Sequence, residues 1–397
     1  MNQILAIHGG HPVRESKIHY GRQYIDNEDI RAVTETLLDD LITTGPRVQE
    51  LENRLCGLTG AKYAVGIANG TAALHAACFA AGIGKGDEVI TSPITFAASA
   101  NCALYMGAKP VFADINPETY NIAPQSIKEN ITDKTKAVIT VDFTGQACEY
   151  DEIKKICAVH DLLLIDDAAH SIGTTYKGQP IGSIGDMTTF SFHPVKTVTG
   201  GEGGAILTNN RLLYDRLILF RAHGITRELD QMRHSPDGPW YYEQVELGFN
   251  YRITDFQAAL IMSQLDKLPR FIERRKQIVK RYNDAFSQVP ELIVQKSIPE
   301  SDTVNHLYVL QLRLDSLTGT RREIFDALYA ENVCCNVHYI PVYTLPYYQE
   351  LGYQKGLCPN AEVFYEGALS IPLYYGLTDY DVDTVIEAVI KVLAYYH

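Results

Sequence analysis

The chain has 397 residues, 46% of them hydrophobic and 21% charged, which predicts two to three domains around a large core and excludes wholesale disorder. Lys plus Arg number 35 against 48 Asp plus Glu, a formal net charge of −13; such a surface repels phosphate backbones and disfavours a general nucleic-acid binder, though a local pocket for a small phosphorylated ligand stays open. The 29 glycines and 17 prolines are near average use and exclude collagen-like and low-complexity classes.

None of the eight cysteines forms a C-x-x-C pair, and no Cys/His cluster has zinc-site spacing. They are read as reduced, buried small hydrophobes, and no metal is expected. The opening MNQILAIHGGHPVRESK lacks the apolar stretch of a signal peptide, and no run of about 18 apolar residues follows. A cytoplasmic protein with no membrane partner is expected.

In chain order, NEDIRAVTETLLDD from Asn27 predicts a helix whose apolar stripe is Ile30, Val33, Leu37 and Leu38, with acidic residues in its first turn. TTGP (Thr43–Pro46) stops it, and a second helix starts near Arg47. Then short apolar runs alternate with helices: AKYAVGIA, TAALHAACFAAG, DEVITSP, FAASANCALYMG, KPVFADI, KAVITVDF, LLLIDDAA and AILTN. This alternation predicts an α/β fold, a mostly parallel sheet covered on both faces. Ligands of such sheets gather at the carboxyl ends of strands. After about Asn250, TDFQAALIMSQLDKL runs into RFIERRKQIVKRYNDAF as one long helix or a helix pair. Its basic run (Arg270, Arg274, Arg275, Lys276, Lys280, Arg281) reads as a solvated face, being interleaved with Glu273 and apolar residues. HLYVLQLRL, a helix from about Thr320, and NVHYIPV predict a smaller α+β domain. The expected division is residues 1–255 and 256–397.

Four features fall at strand ends. Asn69-Gly70-Thr71 joins a strand to a helix; Thr71 can cap that helix, and free N–H groups there attract a phosphate, although N-G before a helix is also ordinary turn chemistry. LLLIDDAAH (Leu162–His170) puts two carboxylates at a strand end, followed by His170; a single aspartate there would read as a helix cap. In FSFHPVKTVTGGEGG (Phe190–Gly204), Thr189, Ser191 and His193 share one strand face. Lys196 is held between His-Pro and a Gly-Gly-Glu-Gly-Gly turn, which argues against a free surface tail. A buried lysine loses its proton more easily and becomes a nucleophile toward aldehydes. Phe96, after VITSP, either stacks on a flat cofactor or packs in the core. Taken together, Gly70, Thr71 and Ser191 can hold a phosphate, Phe96 can cover a ring, Asp167 can keep a ring nitrogen protonated and Lys196 can form a Schiff base. A pyridoxal 5'-phosphate enzyme requires those parts.

On TTGP, NGTAALH (Asn69–His75), SPITFAASAN (Ser92–Asn101), DDAAHSIG (Asp166–Gly173), SFHPVKTVTGGEGG, RAHGI (Arg221–Ile225), GFNYRITDFQAAL (Gly248–Leu260) and SIPLY (Ser370–Tyr374), the sequence resembles the DegT/StrS-type sugar-nucleotide aminotransferases over nearly its whole length. The resemblance implies the fold-type I aminotransferase architecture, with residues 1–255 as the large pyridoxal-phosphate-binding domain. It makes Lys196 the Schiff-base lysine, Asp167 the partner of the pyridine nitrogen, and His170 a further cofactor residue. It implies that Asn250 reaches the phosphate of the neighbouring subunit, and hence a homodimer with shared active sites.

Tyr20-Gly21-Arg22-Gln23, Val141-Asp142-Phe143, SFHPVK, NHLYVL (Asn305–Leu310) and VHYIPVY (Val337–Tyr343) resemble the branch of that family acting in pseudaminic acid biosynthesis. Many relatives carry histidine where this chain has Asp142, whereas that branch carries aspartate. The resemblance implies a sugar-nucleotide pocket lined by Tyr20, Ile42, Thr43, His338, Tyr339, Ile340 and Pro341. It implies transfer of an amino group from L-glutamate, which leaves as 2-oxoglutarate, to C4 of a UDP-linked 4-keto-6-deoxy-N-acetyl-hexose. Alternatives are another nucleotide 4-keto sugar (GDP- or dTDP-linked) and a sugar dehydratase of the family. The dehydratases carry histidine in place of the Schiff-base lysine, so Lys196 argues against that reading. A sensor protein on the same fold should have lost site residues, and an NAD-dependent oxidoreductase should show the G-x-G-x-x-G fingerprint absent here.

Overall fold

A computed structural model of the chain describes residues 4–397. Helices α1 (Asn27–Leu37) and α2 (Pro46–Thr59) lead into β1 (Tyr63–Ile67), α3 (Gly70–Ala80), β2 (Glu88–Thr91), α4 (Ala98–Tyr105), β3 (Lys109–Phe112), β4 (Thr135–Val141), α5 (Tyr150–His160), β5 (Leu163–Asp167), β6 (Met187–Ser191), β7 (Gly204–Thr208) and α6 (Arg211–Arg221). The seven strands make one sheet in the order β1-β7-β6-β5-β4-β2-β3. Strand β7 runs antiparallel to both its neighbours, and the remaining pairs are parallel.

Helices cover both faces, which is why the strands read as nearly continuous apolar runs. Successive residues leave a strand on opposite sides. Val65, Ile139 and Ile165 pack with Ala72, Ala76, Leu217 and Phe220 of α3 and α6. Their neighbours Ala64, Val138 and Leu164 pack with Leu51, Ile153 and Leu268 on the other face. Each fully buried Leu, Ile, Val or Phe contributes about 1.5–3 kcal/mol. The alanines of α3 let that helix lie close to the sheet, with every residue from Ala72 to Ala80 buried.

The long C-terminal run is a single helix, α7 (Asp255–Phe286), with Pro269 inside it. It joins two cores: Leu265 and Leu268 belong to the sheet's core, Ile278, Tyr282 and Phe286 to a second one. That second core includes β8 (Leu292–Val294), β9 (Tyr308–Leu312), α8 (Arg321–Ala330), β10 (Ala368–Ile371) and α9 (Asp379–Tyr396). The three strands pair antiparallel in the order β8-β9-β10. The architecture is α/β, fold-type I aminotransferase, with a smaller C-terminal α+β region. A division of the chain near residue 255 stands as our proposal; the packing adds that Leu5 and Ile18 sit in the C-terminal core.

Three expectations need correction. The apolar stripe of α1 faces outward: Ile30, Leu37 and Leu38 are exposed, the last by 83%. Polar chemistry holds the inward face. Asp29 accepts from Ser263 Oγ (2.7 Å) and Gln264 Nε2 (2.8 Å) and pairs with buried Lys267 at 2.8 Å. The basic run of α7 is not uniformly solvated, because Arg275 is buried and its Nη1 donates to the carbonyls of Asn305, His306 and Leu373 at 3.1–3.2 Å. NVHYIPV forms no strand; a lone bridge, Asn336 to Ser370, precedes an irregular turn ending in Pro341, which has no N–H for a ladder. Among the described residues all eight cysteines are free and seven are buried, and no helix is long and apolar enough to cross a membrane.

Candidate active site

Strands β5 and β6 end side by side, Asp167 opposite Thr189 in register. The loop from β6 to β7 folds back on itself: Lys196 N donates to His193 O (2.9 Å), Gly200 N to Phe192 O (2.9 Å), and Thr197, Val198 and Thr199 are buried. Strand β6 stops at Ser191, so His193 lies beyond it, exposed, and does not share the strand face expected for it. Lys196 lines a pocket with Tyr20, His306, His338, Tyr339 and Leu373. Burial lowers its amine to about 8, while the Asp167 charge works the other way. An appreciable fraction of the amine is therefore neutral near neutral pH, as a nucleophile toward a carbonyl requires.

The two adjacent aspartates separate by strand alternation. Asp167 follows Ile165 onto the α3 side, where its Oδ2 accepts from Ser99 Oγ at 2.5 Å and its Oδ1 from Ala169 N at 3.2 Å. Burial raises its carboxyl; the Ser99 bond, the Lys196 charge and the Ala169 bond oppose that rise. Asp166 follows Leu164 to the opposite face. Its Oδ1 accepts from Thr140 Oγ1 at 3.3 Å, and its Oδ2 has no partner among the described residues. Burial, then the charge of Asp142, pushes its carboxyl well above the usual carboxylate range. Asp142 accepts from Cys148 N (2.9 Å), Tyr150 OH (2.9 Å) and Ser171 Oγ (2.8 Å). Burial pushes it up to about 6 against those bonds. It thereby fixes the turn that carries His170.

Asn69, not Thr71, caps α3: its Oδ1 accepts from Ala72 N at 2.8 Å. The N–H groups of Gly70 and Thr71 are left without a partner among the described residues. A Cβ at Gly70 would stand 2.9 Å from Ser191 Cβ and 3.2 Å from its Oγ. Only glycine lets this helix start close on Ser191, which makes a pocket of free N–H groups and a hydroxyl.

His170 is buried, with Nε2 3.4 Å from the Tyr339 hydroxyl, Nδ1 unpartnered, and its ring 4.5 Å from that of His306. Burial holds it well below the usual histidine range, and Lys196 and His338 add to that. His338 is pushed down to about 4 by burial and by Lys196, and its Nδ1 lies 2.8 Å from Ser370 Oγ. Tyr20 faces His338 at 5.4 Å between ring centroids. Neutral imidazoles thus surround the amine.

Other expected site residues are not among those lining this pocket. Phe96 is 63% exposed, on the turn whose carbonyl accepts from Ser99 N. Ile42 is exposed and its carbonyl accepts from Asp255 N; Thr43, also exposed, bridges Thr254. Asn250 is exposed and pairs through its backbone with Ala222. Ile340 is exposed and Pro341 buried just beyond the pocket. The sequence reading did not single out His306 or Ser99, and it marked Thr95 only as the neighbour of Phe96, with no role of its own. His306 stood inside the NHLYVL motif, and the two hydroxyls carried no signal beyond a four-residue spacing.

A ligand with a phosphate, a basic ring nitrogen and an aldehyde fits this donor set: free N–H groups beside Ser191, the buried carboxyl of Asp167, the weakened amine of Lys196, and the open Nδ1 of His170. The model of the DegT/DnrJ/EryC1/StrS aminotransferase family matches residues 23–390. The spore coat polysaccharide biosynthesis protein SpsC of Bacillus subtilis is 43% identical over 378 residues, 95% of this chain and 97% of that protein. The UDP-4-amino-4,6-dideoxy-N-acetyl-beta-L-altrosamine transaminase of Campylobacter jejuni is 36% identical over 379 residues, 95% and 97% of the two chains. Spr1654 of Streptococcus pneumoniae, solved in its PLP form, superposes with a TM-score of 0.88 at 31% identity, covering 96% of this chain and 99% of that one. With the family model matched across residues 23–390, this chain belongs to the DegT/DnrJ/EryC1/StrS aminotransferase family.

Proposed function

We propose that this enzyme is a pyridoxal-phosphate-dependent sugar aminotransferase that moves the amino group of L-glutamate to C4 of a UDP-linked 4-keto-6-deoxy-N-acetyl-hexose. The observation that carries the chemistry is the convergence of Lys196 and Asp167 from neighbouring strand ends. Pyridoxal phosphate, when bound, supplies an aldehyde and an electron sink. The N–H groups of Gly70 and Thr71 and the Ser191 hydroxyl would hold its phosphate, Asp167 its ring nitrogen, and His170 and Phe96 its two ring faces. Lys196 would anchor it covalently and, once freed by the incoming amine, carry the proton to or from the reacting carbon of each substrate. The neutral state of His170, His306 and His338 leaves Lys196 as the group that titrates near neutral pH in this pocket.

The UDP sugar rests on the motif resemblance and on the 36% identity to the Campylobacter transaminase. A second reading is a C4 aminotransferase for another nucleotide 4-keto sugar; the higher identity, 43%, is to SpsC, which is named for spore coat polysaccharide and not for that UDP sugar. Amination of a panel of UDP-, GDP- and dTDP-4-keto sugars with glutamate, read by product mass and NMR stereochemistry, separates them. Turnover of the UDP N-acetyl sugar alone supports the first; turnover restricted to a dTDP or GDP sugar overturns it.

We further propose a homodimer in which Asn250 of one subunit completes the phosphate site of the other. The exposure of Asn250, Ile42, Thr43 and Phe96 supports this, as does the outward apolar stripe of α1.

A further inference from the structure

The buried carboxyl of Asp167 is served by two hydroxyls in series. Ser99 is fully buried on α4 and places its Oγ 2.5 Å from Asp167 Oδ2. The same Oγ lies 2.6 Å from Thr95 Oγ1, also buried, and 3.3 Å from the Phe96 carbonyl. An ionised carboxylate only accepts, so the single Ser99 proton goes to Asp167, the much shorter contact. Thr95 must then donate to Ser99. Bonds in such a chain polarise one another.

We infer that Thr95 and Ser99 form a two-hydroxyl relay that holds Asp167 ionised and aimed, making both positioning residues for the aminotransferase chemistry. The inference rests on the assignment of Asp167 to the ring nitrogen made above. The Ala169 N–H, at 3.2 Å, is Asp167's other donor, so removing Ser99 leaves a buried charge with one long bond. The charged or titratable groups around this carboxyl are Lys196 on the β6–β7 loop, Tyr339 beyond β9, Cys102 on α4 and Asp166 on its own strand. Lys196 alone is a cation, and it stabilises the carboxylate. A donor to the charged form lowers a carboxyl's pKa, so its loss moves protonation of Asp167 to higher pH.

The test measures the affinity of the apoenzyme for pyridoxal phosphate, and the pH dependence of the holoenzyme's visible absorbance, in wild type, Ser99→Ala, Thr95→Val and Asp167→Asn. Ser99→Ala is expected to weaken binding about 10- to 150-fold, the range for a hydrogen bond to a charged group. Its acid limb moves to higher pH by about one pH unit or more. Thr95→Val keeps shape and removes only the second hydroxyl, so it shifts both readouts in the same direction by less. Unchanged affinity and an unchanged acid limb in Ser99→Ala, with Asp167→Asn strongly altered, overturns the relay and spares the Asp167 assignment. A wild-type readout from Asp167→Asn overturns the assignment itself. Thermal melting of the apoenzymes guards against misfolding: should Ser99→Ala fail to fold, Thr95→Val carries the test, and wild-type values from it refute the relay.

Discussion

Exchanging each of two adjacent carboxyls for an amide tests the site most directly. Asp167→Asn removes a negative charge that faces Lys196 and is held by Ser99 and Ala169. A hydrogen bond involving a charged partner is worth about 1.5–3 kcal/mol, and each 1.36 kcal/mol is a factor of about ten in rate. Loss of the charged bond to a protonated ring nitrogen therefore lowers kcat/KM by about 10- to 150-fold as a floor. The electron sink is weakened as well, so the full loss should exceed that range. Asp166→Asn replaces a carboxyl that burial pushes toward its protonated form, on the other face of the sheet. The amide is nearly isosteric with the protonated carboxyl, and its oxygen can accept the Thr140 bond. Turnover is expected to stay near wild type. Steady-state kinetics with glutamate and a 4-keto sugar, paired with visible spectra, give the comparison. Equal losses, or a larger loss from Asp166→Asn, would show that strand alternation does not decide which acid serves the ring.

Borohydride reduction and peptide mapping should place the pyridoxyl label on Lys196, and Lys196→Ala should abolish turnover while the melting temperature stays near wild type; a label on any other lysine refutes the assignment. The apoenzyme's rate of reaction with a small aldehyde at Lys196 should rise through about pH 8, since the protonated amine below it is unreactive; an inflection above pH 10 would show that burial does not weaken the base. Arg275→Met strips the buried carbonyls of Asn305, His306 and Leu373 of their donor and should cost about 3 kcal/mol in urea unfolding, with an unchanged midpoint as the contrary outcome. Mixing Lys196→Ala subunits with Asn250→Ala subunits, each inactive alone, should restore activity in about a quarter of all sites if C2 dimers exchange at random; confirmed mixed dimers without activity would mean that Asn250 serves its own chain.

Much of the fold was legible because its signals are local. The segments 63–67, 137–139 and 163–165 are apolar or small on both faces, as strands buried under helices on both sides must be. The adjacency of Asp166 and Asp167 already implied opposite faces, and the structure places them so. The misreadings share a cause. The residue pattern showed an apolar stripe on α1 but not which way it faces; Asp26 and Asp29 meet buried Lys267 on the inner side, and ion pairing between distant segments leaves no periodic trace. Arg275 looked like one basic residue among several; that carbonyls from 305, 306 and 373 converge on it is a tertiary fact. Thr71 lost the cap to Asn69, a better capping residue two positions earlier, immediately before the helix. Thr95 and Ser99 were hidden in a stretch of small residues that reads as helix packing.

The outward face of α1 and the scattered site residues have one common explanation. Leu38 is 83% exposed, Ile30 58%, Leu37 53%, and beyond them Leu41 and Ile42 lead directly to Thr43. Water contact on that many neighbouring large apolar side chains is unfavourable for an isolated chain, whereas burial of each recovers a transfer energy of about 1.5–3 kcal/mol. Within a single chain the same segment ends at Thr43 without reaching the Lys196 pocket. A partner laid over this face would cover the stripe, and the polar residues at its edge would be the ones presented to the other subunit's cofactor. On that proposal the shared site and the outward stripe are a single feature: α1 would keep its ion pairs for its own α7 and its apolar side for the second copy.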